Sequence, residues 1–331
     1  MHADFLIIGQ GMAGTLLSDE LMRAGKSVLI IDKKEVHNTS LAASAVINPL
    51  VGKNWTLAKD AERIIPVALE TYYRLSELLQ VDLVQQKSLL VFHRDDASRQ
   101  NFSIQIQAGN PFIQEDYPTQ RSAWDAPFGL GKVAPVYTID AQSLLNKSAL
   151  FLQSQNALIQ EYFQFEELQF SGHAIRYKDI TADNLIFCEG AIGRQNPFFP
   201  SLTFTHNRGD ALLLSIPHLS PEHIYHKDFR LVPHRDHLFW CGSNYIWEYD
   251  SLEPNLEWRI ETEIALKSWL KLPFEIVDHW VAERPTTAGQ QSLLLQHAQH
   301  KNIYFFNGLG TRGFSAGPSL AKEMVQLMLN V

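Results

Sequence analysis

The chain has 331 residues, of which 45% are hydrophobic and 19% charged, with 18 glycines and 15 prolines. That mixture excludes a disordered or collagen-like chain and gives room for about two domains, each with its own core. Lys and Arg total 28 against 36 Asp and Glu, a net charge of -8, which argues against a long basic surface for nucleic acid.

The chain opens on a short apolar run, Asp4–Ile8, which reads as a buried strand. It is too short for a signal peptide, and no stretch approaches the roughly 20 apolar residues of a membrane span, so a cytoplasmic protein with no membrane span is expected. Gly9-Gln10-Gly11-Met12-Ala13-Gly14 follows, a G-x-G-x-x-G. A helical pattern with Leu16, Leu17, Leu21 and Met22 then ends at Gly25, where a helix C-cap belongs. Ser27–Ile31 is a second buried strand and stops at Asp32, 23 residues after Gly9.

Gly9 permits the tight turn out of the strand, Gly11 lets the backbone approach a pyrophosphate, and Gly14 lets the helix lie against the strand. The helix N-terminus offers free N–H groups and partial positive charge to that pyrophosphate. A carboxylate at the second strand tip can accept hydrogen bonds from both ribose hydroxyls and repels a 2′-phosphate. The sequence therefore assigns Gly9, Gly11, Met12, Ala13, Gly14, Asp32 and the adjacent Lys33 to a dinucleotide; the alternative is a glycine turn in an ordinary βαβ unit.

Val36–Gly52 is rich in small residues, and Ser40, Ala43 and Ser44 are candidates to lie close to a flat ligand; a plain surface loop is the alternative. Ala58–Leu79 is an amphipathic helix in which Pro66 predicts a kink or restart. Val84–Arg94 reads as strand. Phe102–Val136, with Pro111, Pro118, Pro127 and Pro135, reads as irregular. Asp140–Gln155 is helical with Asp140 as N-cap. Asn184–Gly193 is a buried strand running into Gly190 and Gly193, expected to rejoin the amino-terminal sheet beside the nucleotide.

Phe229–Pro233 and Leu238–Gly242 form a predicted hairpin, and Leu256–Leu270 a helix. Ile303–Asn307 is a last strand entering the glycine-rich Gly308–Gly317, and a final helix is predicted from about Pro318 to Leu329 with proline in its first turn. Two cysteines, Cys188 and Cys241, are too few for a disulfide framework or a thiolate zinc site and read as buried thiols. The closest histidine pairs, His234/His237 and His297/His300, lack an H-E-x-x-H pattern and read as exposed, so no metal site is expected. With no G-x-S-x-G, a serine hydrolase has no anchor.

Five segments together resemble the FAD-dependent oxidoreductases of the D-amino-acid oxidase superfamily, in the glycine oxidase and sarcosine oxidase branch. They are Gly9–Gly14 with Asp32, Ser40–Pro49, Leu185–Gly193, Val281–Thr287 (VAERPTT) and Asn307–Pro318 (NGLGTRGFSAGP). The last two separate the chain from NAD-dependent dehydrogenases. The resemblance implies an α/β fold: a Rossmann-like FAD-binding domain interleaved with a second, mostly antiparallel substrate domain. The FAD-binding domain would comprise residues 1–80, 138–200 and 290–331, and the substrate domain 81–137 and 201–289. It implies FAD, non-covalent because neither cysteine falls where the covalent members carry theirs, and oxidation of an amine to an imine.

It also implies roles for particular residues. Arg284 matches the carboxylate-binding arginine, and an arginine's fork suits two carboxylate oxygens at once. Arg312 lies in the carboxy-terminal loop, and Arg230 and Tyr245 would come from the hairpin strands that cover the flavin. Gly190, Gly308, Gly310, Thr311, Arg312, Gly313 and Phe314 would surround the cofactor, with the last helix aiming its positive end at the flavin C2 region. Two or three arginines at one pocket favour an acidic or dicarboxylate substrate. Ala288–Ser292 departs from the family's acidic, proline-containing stretch. The leading expectation is a flavoenzyme that oxidises the C–N bond of a small or N-substituted amino acid, with O2 or another acceptor taking the electrons. Its partner would be that small molecule, with no nucleic acid. The alternatives are a tRNA-modifying relative, a flavin-binding protein without turnover, and an NAD-dependent dehydrogenase.

Overall fold

The computed structural model describes residues 1–33, 38–116, 121–171, 174–205 and 207–329. The chain begins with β1 (His2–Ile8), α1 (Met12–Arg23) and β2 (Val28–Ile31). The two strands pair in parallel, Phe5 opposite Val28 and Ile8 opposite Ile31, which requires a crossover such as α1 between them. All four residues of β2 are buried, as expected of a strand covered on both faces. Gly25, at φ +74°, closes α1: its N–H donates to the Met22 carbonyl and the Lys26 N–H to that of Leu21.

Next come α2 (Thr39–Ala42), β3 (Val46–Ile47), β4 (Leu50–Val51), β5 (Thr56–Leu57), α3 (Ala61–Leu79), β6 (Val84–Phe92), α4 (Asp96–Gln107), β7 (Ile113–Asp116) and β8 (Leu130–Ile139). The central part is α5 (Ala141–Ser154), β9 (Leu158–Ile159), β10 (Leu168–Ser171), β11 (Ala174–Tyr177) and β12 (Ile180–Phe187). Then follow β13 (Asn207–Ser215), β14 (His223–His226), β15 (Arg230–Pro233), β16 (Leu238–Gly242), α6 (Leu256–Lys267) and β17 (Glu275–Arg284). The chain closes with β18 (Leu293–Gln296), β19 (Ile303–Asn307) and α7 (Gly313–Leu329).

Two large sheets result. The first has the order β10-β11-β12-β1-β2-β9, with β19 beside the second half of β12 and β18 beyond it. β9, β2, β1, β12 and β19 are its parallel part, so β12 does rejoin the amino-terminal sheet. One face packs on α1, α3, α5 and α7 through Leu16, Leu17, Tyr72, Leu144 and Met324. The second sheet has the order β17-β13-β16-β15-β14-β6-β8-β3, with β7 on β8, and is antiparallel except for β14 with β6. α6 covers one of its faces through Trp258 and Leu266, against Leu212, Leu231, Phe239 and Trp269. The opposite face carries Ala211, Val232 and Trp240, and the Trp240 indole N–H donates to the Ala42 carbonyl at 2.9 Å, tying this face to the segment after β2. Among the described residues no helix is long and apolar enough to cross a membrane.

Three sequence expectations are corrected. Phe102–Val136 is not irregular: it holds the end of α4, β7 and most of β8. α4 is fixed by a capping box, Asp95 Oδ1 accepting from the Ser98 N–H at 2.7 Å, but buries only Phe102, so it carries no apolar periodicity. Pro135 is tolerated inside β8 because it sits at a register irregularity opposite β6. Pro118 lies outside the described residues. Pro66 does not restart the helix, since α3 runs through it as one element. The last helix begins five residues early, at Gly313, so Pro318 is interior. Pro318 cannot donate to the Phe314 carbonyl one turn back, and the buried Tyr72 hydroxyl takes that donor's place at 2.9 Å.

Candidate active site

The ends of β1, β2 and β12 form the crevice at which α1 begins. Gly9 has φ +104°, and a Cβ there would stand 2.5 Å from the Cys188 carbonyl oxygen. A Cβ on Gly14 would stand 1.9 Å from the Gly9 carbonyl oxygen, so both positions admit only glycine as the backbone stands. Gly11 differs: its absent Cβ would meet only Ser40 Oγ, at 3.5 Å, and would otherwise point into open space. The helical ladder starts with the Thr15 N–H donating to the Gly11 carbonyl, leaving the Met12, Ala13 and Gly14 amides ahead of the first rung. Ser40 Oγ accepts from the Met12 N–H at 3.1 Å. Asp32 Oδ1 accepts from the Gln10 N–H at 2.8 Å, so the carboxylate at the β2 tip also steadies the glycine loop. Ala43 caps the end of α2 and leans on the core beneath it, and Ser44 is half-buried beside it. The Lys33 ammonium lies over the Tyr162 ring, 3.5 Å from its centroid.

β12 and β19 deliver two further glycine turns to the same place. Gly190 has φ +59° with nothing within 4 Å of its missing Cβ. Asn307, at the end of β19, donates through Nδ2 to the Gly190 carbonyl at 2.9 Å, while its Oδ1 accepts from the Gly308 N–H at 2.8 Å. One buried amide thus couples both turns. Gly308 and Gly310, at φ +72° and +53°, wrap the methyl groups of Thr287 and Thr286. α7 then starts beside α1: a Cβ on Gly313 would lie 3.8 Å from Met12 Cγ, and one on Gly317 would lie 2.9 Å from Leu16 Cδ1. Phe314 is buried, whereas Thr311 and Arg312 are exposed and Arg312 donates to the Lys59 carbonyl at 3.3 Å.

The second sheet supplies the opposite wall. Arg284 ends β17, and its guanidinium lies across Gly209, where a Cβ would come 2.0 Å from Nη2. Arg284 Nη1 donates to Asn207 Oδ1 at 2.5 Å and the Asn244 carbonyl at 3.3 Å, Nη2 donates to Ser243 Oγ at 2.7 Å, and the Tyr245 ring lies 4.5 Å from its carbon. Arg230 opens β15 on the same face. Tyr245 does not belong to the hairpin strands as expected; it lies three residues past β16, in the turn that grips Arg284. His226, paired in register with Arg230, is pushed down to about 3 by burial and by the charges of Arg230 and Arg94, so its ring is neutral. Within the departing segment Ala288–Ser292, Ala288–Gln290 forms an exposed turn, and the Gln291 carbonyl accepts from Thr287 Oγ1.

Asp210, fully buried on the other face of β13, sets the geometry of that turn and escaped the sequence reading. Its Oδ1 accepts from His279 Nε2 at 2.9 Å, Arg208 Nη2 at 3.1 Å and the Asn255 N–H at 2.9 Å; its Oδ2 accepts from Asn244 Nδ2 at 3.2 Å. Burial opposes ionisation of Asp210, but these donors, His279 first, hold it down to about 2. The signal lay in Asn207-Arg208-Gly209-Asp210, a polar run opening an apolar strand. Asp210→Ala strands the buried Arg208 guanidinium and the His279 ring and should cost about 3–5 kcal/mol, read as a lowered urea midpoint, with Asp210→Asn costing less.

Glu189, between Cys188 and Gly190, is pushed up to about 7 by burial, against a lowering hydrogen bond from Asn196 Nδ2 at 2.7 Å. A raised carboxyl pKa gives a contribution that is complete below the ordinary value of 4.5 and lost as pH rises through about 7. The melting temperature should fall across that window, and Glu189→Gln, which resembles the protonated form, should flatten the fall. An equal slope in both proteins would contradict the assignment. Among the described residues no group of three or more His, Cys, Asp or Glu side chains could hold a metal ion.

A parallel sheet presenting a glycine-lined helix N-terminus, joined to an antiparallel sheet that closes over it, defines a two-sheet dinucleotide-binding protein. The family model described as FAD dependent oxidoreductase (DAO) matches residues 4–327, nearly the whole chain, and the protein belongs to that family. Its fold is similar to that of glycine oxidase from Bacillus cereus, with a TM-score of 0.81, 14% identity, and coverage of 99% of this chain and 97% of that one. Glycine oxidase from Geobacillus kaustophilus gives 0.80, 15%, 99% and 95%, and iminodiacetate oxidase from Chelativorans sp. BNC1 gives 0.78, 17%, 98% and 95%. At these identities the likeness is one of fold.

Proposed function

We propose that this FAD-dependent oxidoreductase oxidises the C–N bond of a small or N-substituted amino acid, with Arg284 binding the substrate carboxylate. One observation carries the reading: every hydrogen-bond acceptor of Arg284 is neutral, and among the described residues no carboxylate forms an ion pair with it. Its fork is held rigid and half-buried, with its charge left for a ligand. Glycine oxidase and iminodiacetate oxidase, which share the fold, are named for carboxylate-bearing amines, in keeping with this choice.

The residues fit FAD. The glycine turn that a Cβ would fill, and the Met12, Ala13 and Gly14 amides, suit the pyrophosphate, with Gly190 and Ser40 beside them and Asp32 toward the ribose. Ala43, Ser44, Gly308, Gly310, Thr311, Gly313 and Phe314 would border the ring system. Non-covalent attachment is supported by Cys188 and Cys241, both buried thiols whose pKa values burial pushes up. When bound, FAD supplies the two-electron acceptor that converts the amine to an imine. The chain contributes orientation: Arg284 fixes the carboxylate, Tyr245 holds the guanidinium plane, and the α7 N-terminus offers positive potential.

The test is anaerobic mixing of the yellow holoprotein with a panel of D- and L-amino acids, glycine and N-methylated glycine. Bleaching of the oxidised flavin band by at least one carboxylate-bearing amine is expected. A flavin that stays oxidised throughout would overturn the proposal.

A further inference from the structure

We infer that the substrate carries a second anionic group and that Arg230 binds it, so that the preferred substrate is an amino dicarboxylate or an N-carboxyalkyl amino acid. This rests on Arg284 being the anchor for the first carboxylate. The register places the two arginines on one face. Arg230 pairs with Gly242, Gly242 with Ala211, and Ala211 with Trp280, a row across β15, β16, β13 and β17. Side chains alternate along a strand, so Trp280, Ala282 and Arg284 share a face, as do Arg230 and Val232. Leu231, between them, points to the α6 side instead. Gly242 leaves the row without a side chain beside Arg230. The next residue, Ser243, accepts from Arg284. The register therefore sets Arg230 and Arg284 on the two sides of the Gly242–Tyr245 turn, whose Tyr245 ring lies 4.5 Å from the Arg284 guanidinium carbon.

The charges around Arg230 are unbalanced. Arg94 is paired with Asp228 at 3.1 Å, Arg208 with Asp210, Arg194 with Glu283 and Arg235 with Asp140. Among the described residues, the half-buried Arg230 guanidinium makes no hydrogen bond and no ion pair. Its titratable neighbours are His226 across the β14 pairing, which is neutral, and Tyr245. Burying a cation without a counter-ion is costly, and a cost retained on the substrate wall is one that a ligand anion relieves.

The experiment uses the holoenzyme and spectral perturbation of its flavin by non-reacting acids. Malonate, succinate and glutarate are compared with acetate, propionate and butyrate. At least one dicarboxylate should bind about tenfold or more tightly than its monocarboxylate counterpart, the scale of one charge-assisted pair. Arg230→Gln should bring that ratio close to one while monocarboxylate binding stays within about threefold. Equal binding of both series by the wild type, which needs no variant to fold, would overturn the inference, as would an unchanged ratio in Arg230→Gln. If Arg284→Ala weakens both series but Arg230→Gln leaves the ratio intact, only the second contact fails. If Arg284→Ala weakens neither, the underlying anchor fails.

Discussion

Arg284→Ala is expected to lower kcat/KM for a carboxylate-bearing amine by roughly 30- to 1,000-fold, a loss of about 2–4 kcal/mol, with FAD still bound. The size follows from what the side chain does. Asn207, Ser243 and Asn244 hold three of its N–H directions, and Gly209 makes room for the guanidinium, so the fork is already in place before substrate arrives. Truncation removes the carboxylate's partner and also leaves Asn207 Oδ1 and Ser243 Oγ unserved. Arg284→Lys should recover little, because a point charge on a flexible stem cannot bridge two carboxylate oxygens from this position. Steady-state kinetics against the best substrate of the amine panel decides the matter; an unchanged KM and kcat would remove Arg284 from the site.

The second large effect concerns the glycine turn, where two neighbouring substitutions should part company. Gly14→Ala places a methyl 1.9 Å from the Gly9 carbonyl oxygen, a backbone atom that cannot move aside without pushing α1 off β1. It should destabilise the protein by about 3 kcal/mol or more and leave it without flavin. Gly11→Ala meets only Ser40 Oγ at 3.5 Å, so the fold should survive with little change in melting temperature. Its methyl would nevertheless occupy the space a pyrophosphate needs, and the protein should purify colourless or lose FAD on dilution. Flavin-to-protein absorbance ratios, with melting curves, separate the two. If Gly11→Ala keeps a full complement of tightly bound FAD, the cofactor does not lie where this turn would put it.

What could be read from the sequence was what local chemistry enforces. The strand, glycine turn, helix, strand and acid from Asp4 to Asp32 are each required by their neighbours, and the Asp140 cap and the glycine turn at Gly308 and Gly310 are of the same kind. What could not be read depends on partners remote in sequence. Arg284 stood out as an arginine before a proline, yet the groups that aim it come from Asn207, Ser243 and Asn244, brought alongside by the pairing of β17 with β13 and β13 with β16. Pro318 looked like a helix start because proline usually is one; the Tyr72 hydroxyl that makes it tolerable in the interior lies 242 residues from the carbonyl it serves. α4 escaped because one buried residue, Phe102, gives no period. Arg230 and Tyr245 were placed together on a predicted hairpin, but only the register reveals that one stands on a strand and the other on the turn beyond it.

The central claim is that FAD lies between the first turn of α1 and the glycine turn before α7, with a carboxylate on Arg284. A crystal structure of the holoprotein with a bound non-reacting carboxylate tests it most directly. The account predicts the pyrophosphate against the Met12–Gly14 amides, the ring system beside Gly308–Phe314, and both carboxylate oxygens on the Arg284 fork. A ring system bound elsewhere, or a carboxylate that leaves Arg284 untouched, would contradict it.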